Sequence, residues 1–398
     1  MQEISTAEKA QATKEQSTEE ASSLRYPTAR AALTSGMGEM ATKVLTIVLS
    51  IATARMLEPR EVGLLGLSVI VIGVISMIGV YPETAAVAVR GEASDGEYAL
   101  AASTIRAAVT LLLLVALVLT FPLVGGYLTG ADGGLSQLQE LIKILIWVPV
   151  FEWVSGYSQI FLQRRLDLNY LAWVQLVQPV IFVGLAIILL LEGRGYVGVA
   201  WANLVSSAAT TALVWGRLWQ RGWLNWEGWP DRKVWRETAL GSARMFVGGF
   251  GGFLGGRVDN LMVAGAIGPA AMSFYSMAWN ASRTPAHVFA KAISFVLVPT
   301  IARIQDDPER VQRGLRECLR HSYLLLAPVC ALFFVSAPLL VTFVLGPKWL
   351  PVVPALRVMC FTVLVAPILF ASTALLVGTG RAHMTGIATL AHLIALIM

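Results

Sequence analysis

Long apolar runs separated by short polar breaks follow one another along almost the whole chain. A helix needs about 20 mainly apolar residues to cross a bilayer, at roughly 1.5 Å of rise each. That ruler predicts about eleven spans, near 31–55, 62–88, 98–121, 137–160, 169–191, 195–217, 238–262, 269–301, 320–345, 351–378 and 384–398. The runs are continuous and do not alternate, so they read as helices and not as barrel strands. The expected class is an all-α membrane protein.

Composition agrees. Of 398 residues, 56% are hydrophobic and only 14% charged, against about 25% charged in soluble domains. Residues 1–24 break the pattern: they are polar, rich in Glu, Lys, Ser and Thr, and lack the apolar stretch of a signal peptide. They read as a disordered cytoplasmic tail. Cys318, Cys330 and Cys360 have no paired spacing, so neither a disulfide framework nor a zinc site is expected.

Charge then sets the orientation. With the N-terminus in the cytoplasm, the inner loops hold Arg90, Arg164, Arg165, Arg217, Arg221, Arg232, Lys233, Arg236, Arg303, Arg310, Arg313, Arg316, Arg320 and Arg381. The outer loops hold only Arg60, Arg194 and Lys348. Basic loops stay on the cytoplasmic side, so the net charge of +5 reads as topology and not as a nucleic-acid footprint. Trp215, Trp219, Trp223, Trp226, Trp229 and Trp235 flank or lie in the longest basic stretch, which suits a headgroup-level linker.

The chain also repeats itself. Leu57-Glu58-Pro59 and Ile267-Gly268-Pro269 each follow an apolar span and open the next one. Pro122 matches Pro338, and Lys143 matches Arg357, at similar offsets and in the same order. Two parallel copies with an even number of spans per repeat predict pseudo-symmetric six-helix lobes, as in transporters that bind between their halves. The division expected is a lobe over 25–217, a linker over 218–236 and a second lobe over 237–398. The last run stops at Met398 without a basic flank, which fits either a short final helix or a missing one.

Ionisable residues within spans are costly and usually face a cavity or a partner. The candidates are Glu39, Lys43, Glu83, Arg106, Glu152, Arg244, Arg257, Asp259, Arg283 and Lys291. Cations outnumber acids. One reading is a cationic cavity for phosphate, with Lys43, Arg106, Arg257, Arg283 and Lys291 as substrate contacts. Asp259, Glu39 and Glu83 are then the candidate coupling acids. The other reading is plain pairing between helices, as for Glu39 and Lys43 at i, i+4. Arg90, Lys143, Arg244 and Arg357 lie near span ends, where snorkelling accounts for them. Gly248, Gly252 and Gly256 share a helix face, giving either a close-packing track or a hinge. Pro285 sits in mid-span, where it kinks a helix. No catalytic constellation and no cofactor motif appears among the scattered histidines, so no enzyme is expected.

Arg257-Val258-Asp259-Asn260-Leu261-Met262-Val263, followed by Ile267-Gly268-Pro269-Ala270-Ala271 and Phe274-Tyr275-Ser276, resembles the polysaccharide flippase family. That family belongs to the multidrug/oligosaccharidyl-lipid/polysaccharide exporter superfamily. Ala54-Arg55-Met56-Leu57-Glu58-Pro59-Arg60-Glu61-Val62-Gly63-Leu64 resembles its opening signature. The resemblance implies twelve to fourteen helices in two lobes around a central cavity, in the bacterial inner membrane. It implies alternating-access transfer of an undecaprenyl-pyrophosphate-linked oligosaccharide to the outer leaflet, for exopolysaccharide, capsule or O-antigen. A polysaccharide polymerase and co-polymerase are the protein partners expected with it, and membrane lipid the surroundings. The rival readings are a drug or small-cation exporter of the same superfamily, a membrane polymerase or ligase of polysaccharide assembly, and a scaffold.

Overall fold

The computed structural model describes residues 40–88, 94–129, 134–223, 228–379 and 384. The tail over 1–24, Glu39 and almost all of the run at 384–398 lie outside these residues. Among the described residues there are thirteen α-helices, one short 3-10 helix at Pro347–Trp349 and no strand. Lobe 1 holds α1 (40–56), α2 (Pro59–Ala88), α3 (Asp95–Thr129), α4 (Leu135–Leu145), α5 (Val148–Arg164), α6 (Leu168–Leu191) and α7 (Gly195–Gln220). Lobe 2 holds α8 (Arg232–Gly255), α9 (Val258–Ala266), α10 (Pro269–Ile304), α11 (Pro308–Val344), α12 (Val352–Cys360) and α13 (Thr362–Gly378).

Local chemistry sets these boundaries. Pro59 and Pro269 occupy first-turn positions of α2 and α10, where a missing N–H costs nothing. Ser94 and Glu97 form a reciprocal capping box at the start of α3, with each backbone N–H bonded to the other's side chain at 2.9 and 3.2 Å. Asp307 caps α11 by accepting from the Arg310 N–H at 3.1 Å.

Three predicted spans are broken into two helices. α4 and α5 part at Ile146–Trp147, where Pro149 opens the new helix. α12 and α13 meet at Phe361 with a 41° bend. The two breaks fall at corresponding places in the two lobes, one span after α3 and α11. The third break separates α8 from α9 at Gly256–Arg257, with Arg257 out of helical geometry at φ −136°, ψ −19°.

Among the described residues, six helical spans with α4 and α5 counted as one, or seven with α12 and α13 also joined, are long and apolar enough to cross a membrane. The outer faces are apolar: Leu111, Leu112, Leu119 and Leu123 on α3, and Leu332, Val335, Leu339 and Phe343 on α11, are all exposed. Only 6% of the most apolar stretch of α3 is buried, so this helix presents its side chains to lipid.

Between the lobes, α2 packs against α8 and α10, and α3 against α8 and α9. The helices alternate in direction, so the loops carrying Arg164, Arg165, Arg217 and Arg303 gather at one end, here the Arg-rich end. At the opposite end the lobes touch through their backbones. A Cβ on Gly63 of α2 would overlap the carbonyl of Pro269 on α10. The Trp349 indole donates to the Ala54 carbonyl at 2.7 Å. Lys348 Nζ donates to the carbonyls of Arg55 and Leu57 at 3.2 and 2.6 Å. Arg55 in turn donates to the carbonyls of Val344, at 3.0 Å, and Phe343. Each lobe thus lays a cation on the C-terminal carbonyls of a helix in the other. At the Arg-rich end the contact is through side chains: Tyr98 Oη donates to Glu237 at 2.8 Å, and Tyr81 meets Phe246 edge-on.

Candidate functional site

α10 has two dissimilar faces. Phe274, Met277, Ala278 and Ala281 pack into the core of lobe 2 with Trp349 and Val352. Met272, Tyr275, Ser276, Trp279 and Arg283 fall on the other side, at i, i+3, i+4, i+7 and i+11. Met272 is buried in the core of lobe 1, its side chain against Gly66 of α2. The face it starts therefore looks toward lobe 1. Farther along, beyond the close α2–α10 contact, Tyr275, Trp279 and Arg283 are half-buried.

This face is ordered from within lobe 2. The Tyr275 phenol donates to Asp259 Oδ2 at 2.7 Å. Asp259 Oδ1 accepts from the backbone and side-chain nitrogens of Asn260, at 2.8 and 3.1 Å, and the Ser276 hydroxyl donates to Asn260 Oδ1. Asn260 is buried. The Tyr275 and Trp279 rings lie near-parallel, 13° apart, with centroids separated by 6.3 Å. The Arg283 guanidinium sits 4.6 Å from the Trp279 centroid, a contact worth roughly 2 kcal/mol when desolvated. Asp259 is near enough to act on Arg283 electrostatically. Among the described residues no carboxylate comes within ion-pair distance of it.

Lobe 1 treats its intramembrane cation differently. Arg106 on α3 is 3% exposed and is paired with Glu83 of α2 and, at 3.3 Å, with Glu152 of α5. Gly79 and Gly156 leave the room for these side chains: a Cβ on Gly156 would overlap the Glu83 carboxylate, and one on Gly79 would press on Arg106 at 3.0 Å. Two carboxylates surround one guanidinium.

The remaining candidates scatter. Lys43 is exposed on α1. Arg257 is exposed at the α8–α9 break, and Asp259 is bonded to Tyr275 and Asn260 and not paired with it. Gly248 and Gly252 lie inside α8, and Gly256 lies in the break that ends it. Pro285 and Lys291 fall inside α10 at positions whose side chains lie outside the described residues. Arg357 donates to the Phe334 carbonyl at 3.2 Å and stands over its ring. Among the described residues no cluster of three or more His, Cys, Asp or Glu could hold a metal. Trp279 was not singled out from the sequence. Its spacing from Tyr275 and Arg283, one turn to either side, was the signal available.

Residues 52–354 match the family described as polysaccharide biosynthesis protein. Relatives include the lipopolysaccharide biosynthesis protein WzxC of Escherichia coli (strain K12), 27% identical over 27% of this chain and 22% of that one. The teichuronic acid biosynthesis protein TuaB of Bacillus subtilis (strain 168) is 21% identical over 69% of this chain. The chain spans about half the length of TuaB, 55%. Among solved structures, an inward-facing multidrug resistance MATE family transporter of the MOP superfamily superposes with a TM-score of 0.65 at 17% identity, covering 89% of this chain and 84% of that one. The lipid II flippase MurJ, in an inward closed conformation, gives 0.63 at 12% identity, covering 92% and 87%. The two-lobed arrangement is thus the fold these two structures share, and the match over most of the chain makes the protein a member of the polysaccharide biosynthesis protein family.

Proposed function

We propose that this chain carries an undecaprenyl-pyrophosphate-linked oligosaccharide from the inner to the outer leaflet of the bacterial inner membrane by alternating access. The observation that carries the reading is Arg283. It is half-buried, faces the opposite lobe and rests on an aromatic ring, with no carboxylate in ion-pair contact among the described residues. A guanidinium held in this way keeps its fork available for a phosphate. Arg257, exposed at the α8–α9 break, and Lys43, exposed on α1, supply further positive charge. Arg106 is already enclosed by two acids, so its part is to brace lobe 1. The break at Gly256 is the place where lobe 2 flexes. The Arg-rich end faces the cytoplasm, as its charge requires, and no bond of the cargo is made or broken. Asp259, Glu39 or Glu83 couples the cycle to an ion.

The test is the fate of the lipid-linked oligosaccharide in cells lacking the protein. Build-up of the intact molecule on the inner leaflet, with loss of surface polymer, is the expected result. Its arrival on the outer leaflet unpolymerised would place the protein at a later step and overturn the reading.

A further inference from the structure

We infer that Tyr275 and Trp279 form a stacking platform for the sugar rings nearest the pyrophosphate, so that α10 reads the junction between lipid diphosphate and saccharide. The inference rests on the lipid-linked oligosaccharide reading and deepens it. Four residues of helix advance about 6 Å, so the Arg283 guanidinium and the Trp279 ring are one turn apart on one face. In a glycosylated diphosphate the first sugar is bonded directly to the phosphate. A phosphate held by Arg283 thus leaves that sugar beside Trp279. The two rings are stacked within 13° of parallel at 6.3 Å, and the Arg283 guanidinium covers a face of Trp279 at 4.6 Å, so the first sugar takes that face as the guanidinium turns onto the phosphate. The C–H face of a sugar ring is apolar and slightly positive, and it complements the negative face of an aromatic ring.

The platform is held in place before any ligand arrives. Tyr275 is tethered through its hydroxyl to Asp259, Asp259 is fixed by Asn260, and Asn260 accepts from Ser276. Rings already ordered lose little freedom on binding. A site built for phosphate alone has no use for this chain of bonds behind an aromatic pair. On the side facing lobe 1, Tyr275, Trp279 and Arg283 are half-buried, while Met272 above them is covered.

The experiment measures binding of two probes to the purified full chain in detergent: a short polyprenyl diphosphate, and the same lipid bearing one hexose. The wild type is expected to bind the glycosylated probe about tenfold more tightly. Trp279→Ala should abolish that preference, so that the ratio of the two affinities falls to about one even though the lost support of Arg283 weakens both probes, and Trp279→Phe should retain it. Tyr275→Phe, which keeps the ring and loses the tether, should reduce the preference in part. If the wild type binds both probes equally, or if Trp279→Ala weakens both by the same factor while Trp279→Phe restores both, there is no sugar platform, and the diphosphate reading survives. If the wild type binds neither probe, the lipid-linked reading itself falls and takes the platform with it. A Trp279→Ala protein that does not fold leaves the wild-type preference and the Phe variant to decide.

Discussion

Both lobes rest arginines on aromatic rings, Arg164 on Tyr98 and Arg217 on Tyr170 in lobe 1 and Arg283 on Trp279 in lobe 2, but they differ in the acids set beside them. In lobe 1, Arg106 is enclosed by Glu83 and Glu152, and nearer the Arg-rich end Arg164 pairs with Asp95 at 2.7 Å and Arg217 with Asp167 at 2.9 Å. In lobe 2, Arg283 and Arg357 stand over Trp279 and Phe334, while the acid nearest the site, Asp259, is taken up by a phenol and an amide. A buried guanidinium between two carboxylates is hard to remove, because its partners would be left unpaired. One resting on an aromatic face gives up far less when a better anion arrives. The difference separates charge that fastens helices from charge that can be lent to a ligand.

Arg106→Leu would strip the shared partner from two acids and is expected to cost about 3–5 kcal/mol of stability. Thermal unfolding in detergent and the amount of protein in membranes are the readouts. A variant as stable and abundant as the wild type would place Arg106 outside the frame of lobe 1. Arg283→Ala should cost at most about 2 kcal/mol of stability, less than Arg106→Leu, and lower export by about 10- to 100-fold, the loss of one or two charge-assisted bonds. Export at the wild-type rate, or collapse of the protein, would erase the contrast. Replacing both members of a pair sharpens it: Glu83→Gln with Arg106→Gln should unfold later than Arg106→Leu, since fewer charges are left stranded. The smallest effect belongs to Tyr275→Phe, which removes one hydrogen bond worth about 1 kcal/mol and should reduce export a few-fold without a change in abundance.

Much of the fold was written in one dimension. The apolar runs located the helices, and Pro59 and Pro269, at the same offset as the flanking motif, marked equivalent starts in the two lobes. The breaks within 137–160 and 351–378 were not legible, because the apolar run continues through Ile146–Trp147 and Phe361. Packing, and not hydropathy, ends those helices. In the site, the ionisable residues were visible but their partners were not. Arg106 and Glu83 lie 23 positions apart and Arg106 and Glu152 lie 46 apart, on three helices whose rotation about their axes no local pattern fixes. Trp279 escaped notice for a different reason: an aromatic residue in an apolar run reads as core until the faces of α10 are assigned.

The fastening opposite the Arg-rich end has acceptors that cannot be mutated away, since Arg55 and Lys348 grip main-chain carbonyls at the ends of α11 and α1. Such a latch is indifferent to the side chains on the receiving helix but sensitive to that helix's length. One residue inserted in α11 would turn its terminal carbonyls by about 100° and carry them away from Arg55 without removing a polar group. Substitution of the residues that supply the carbonyls would therefore leave the latch intact, whereas insertions and deletions in α1 or α11 would not. The segment 345–351 between α11 and α12 and the α1–α2 turn are then the parts of the chain whose spacing, more than their composition, sets how readily the lobes part.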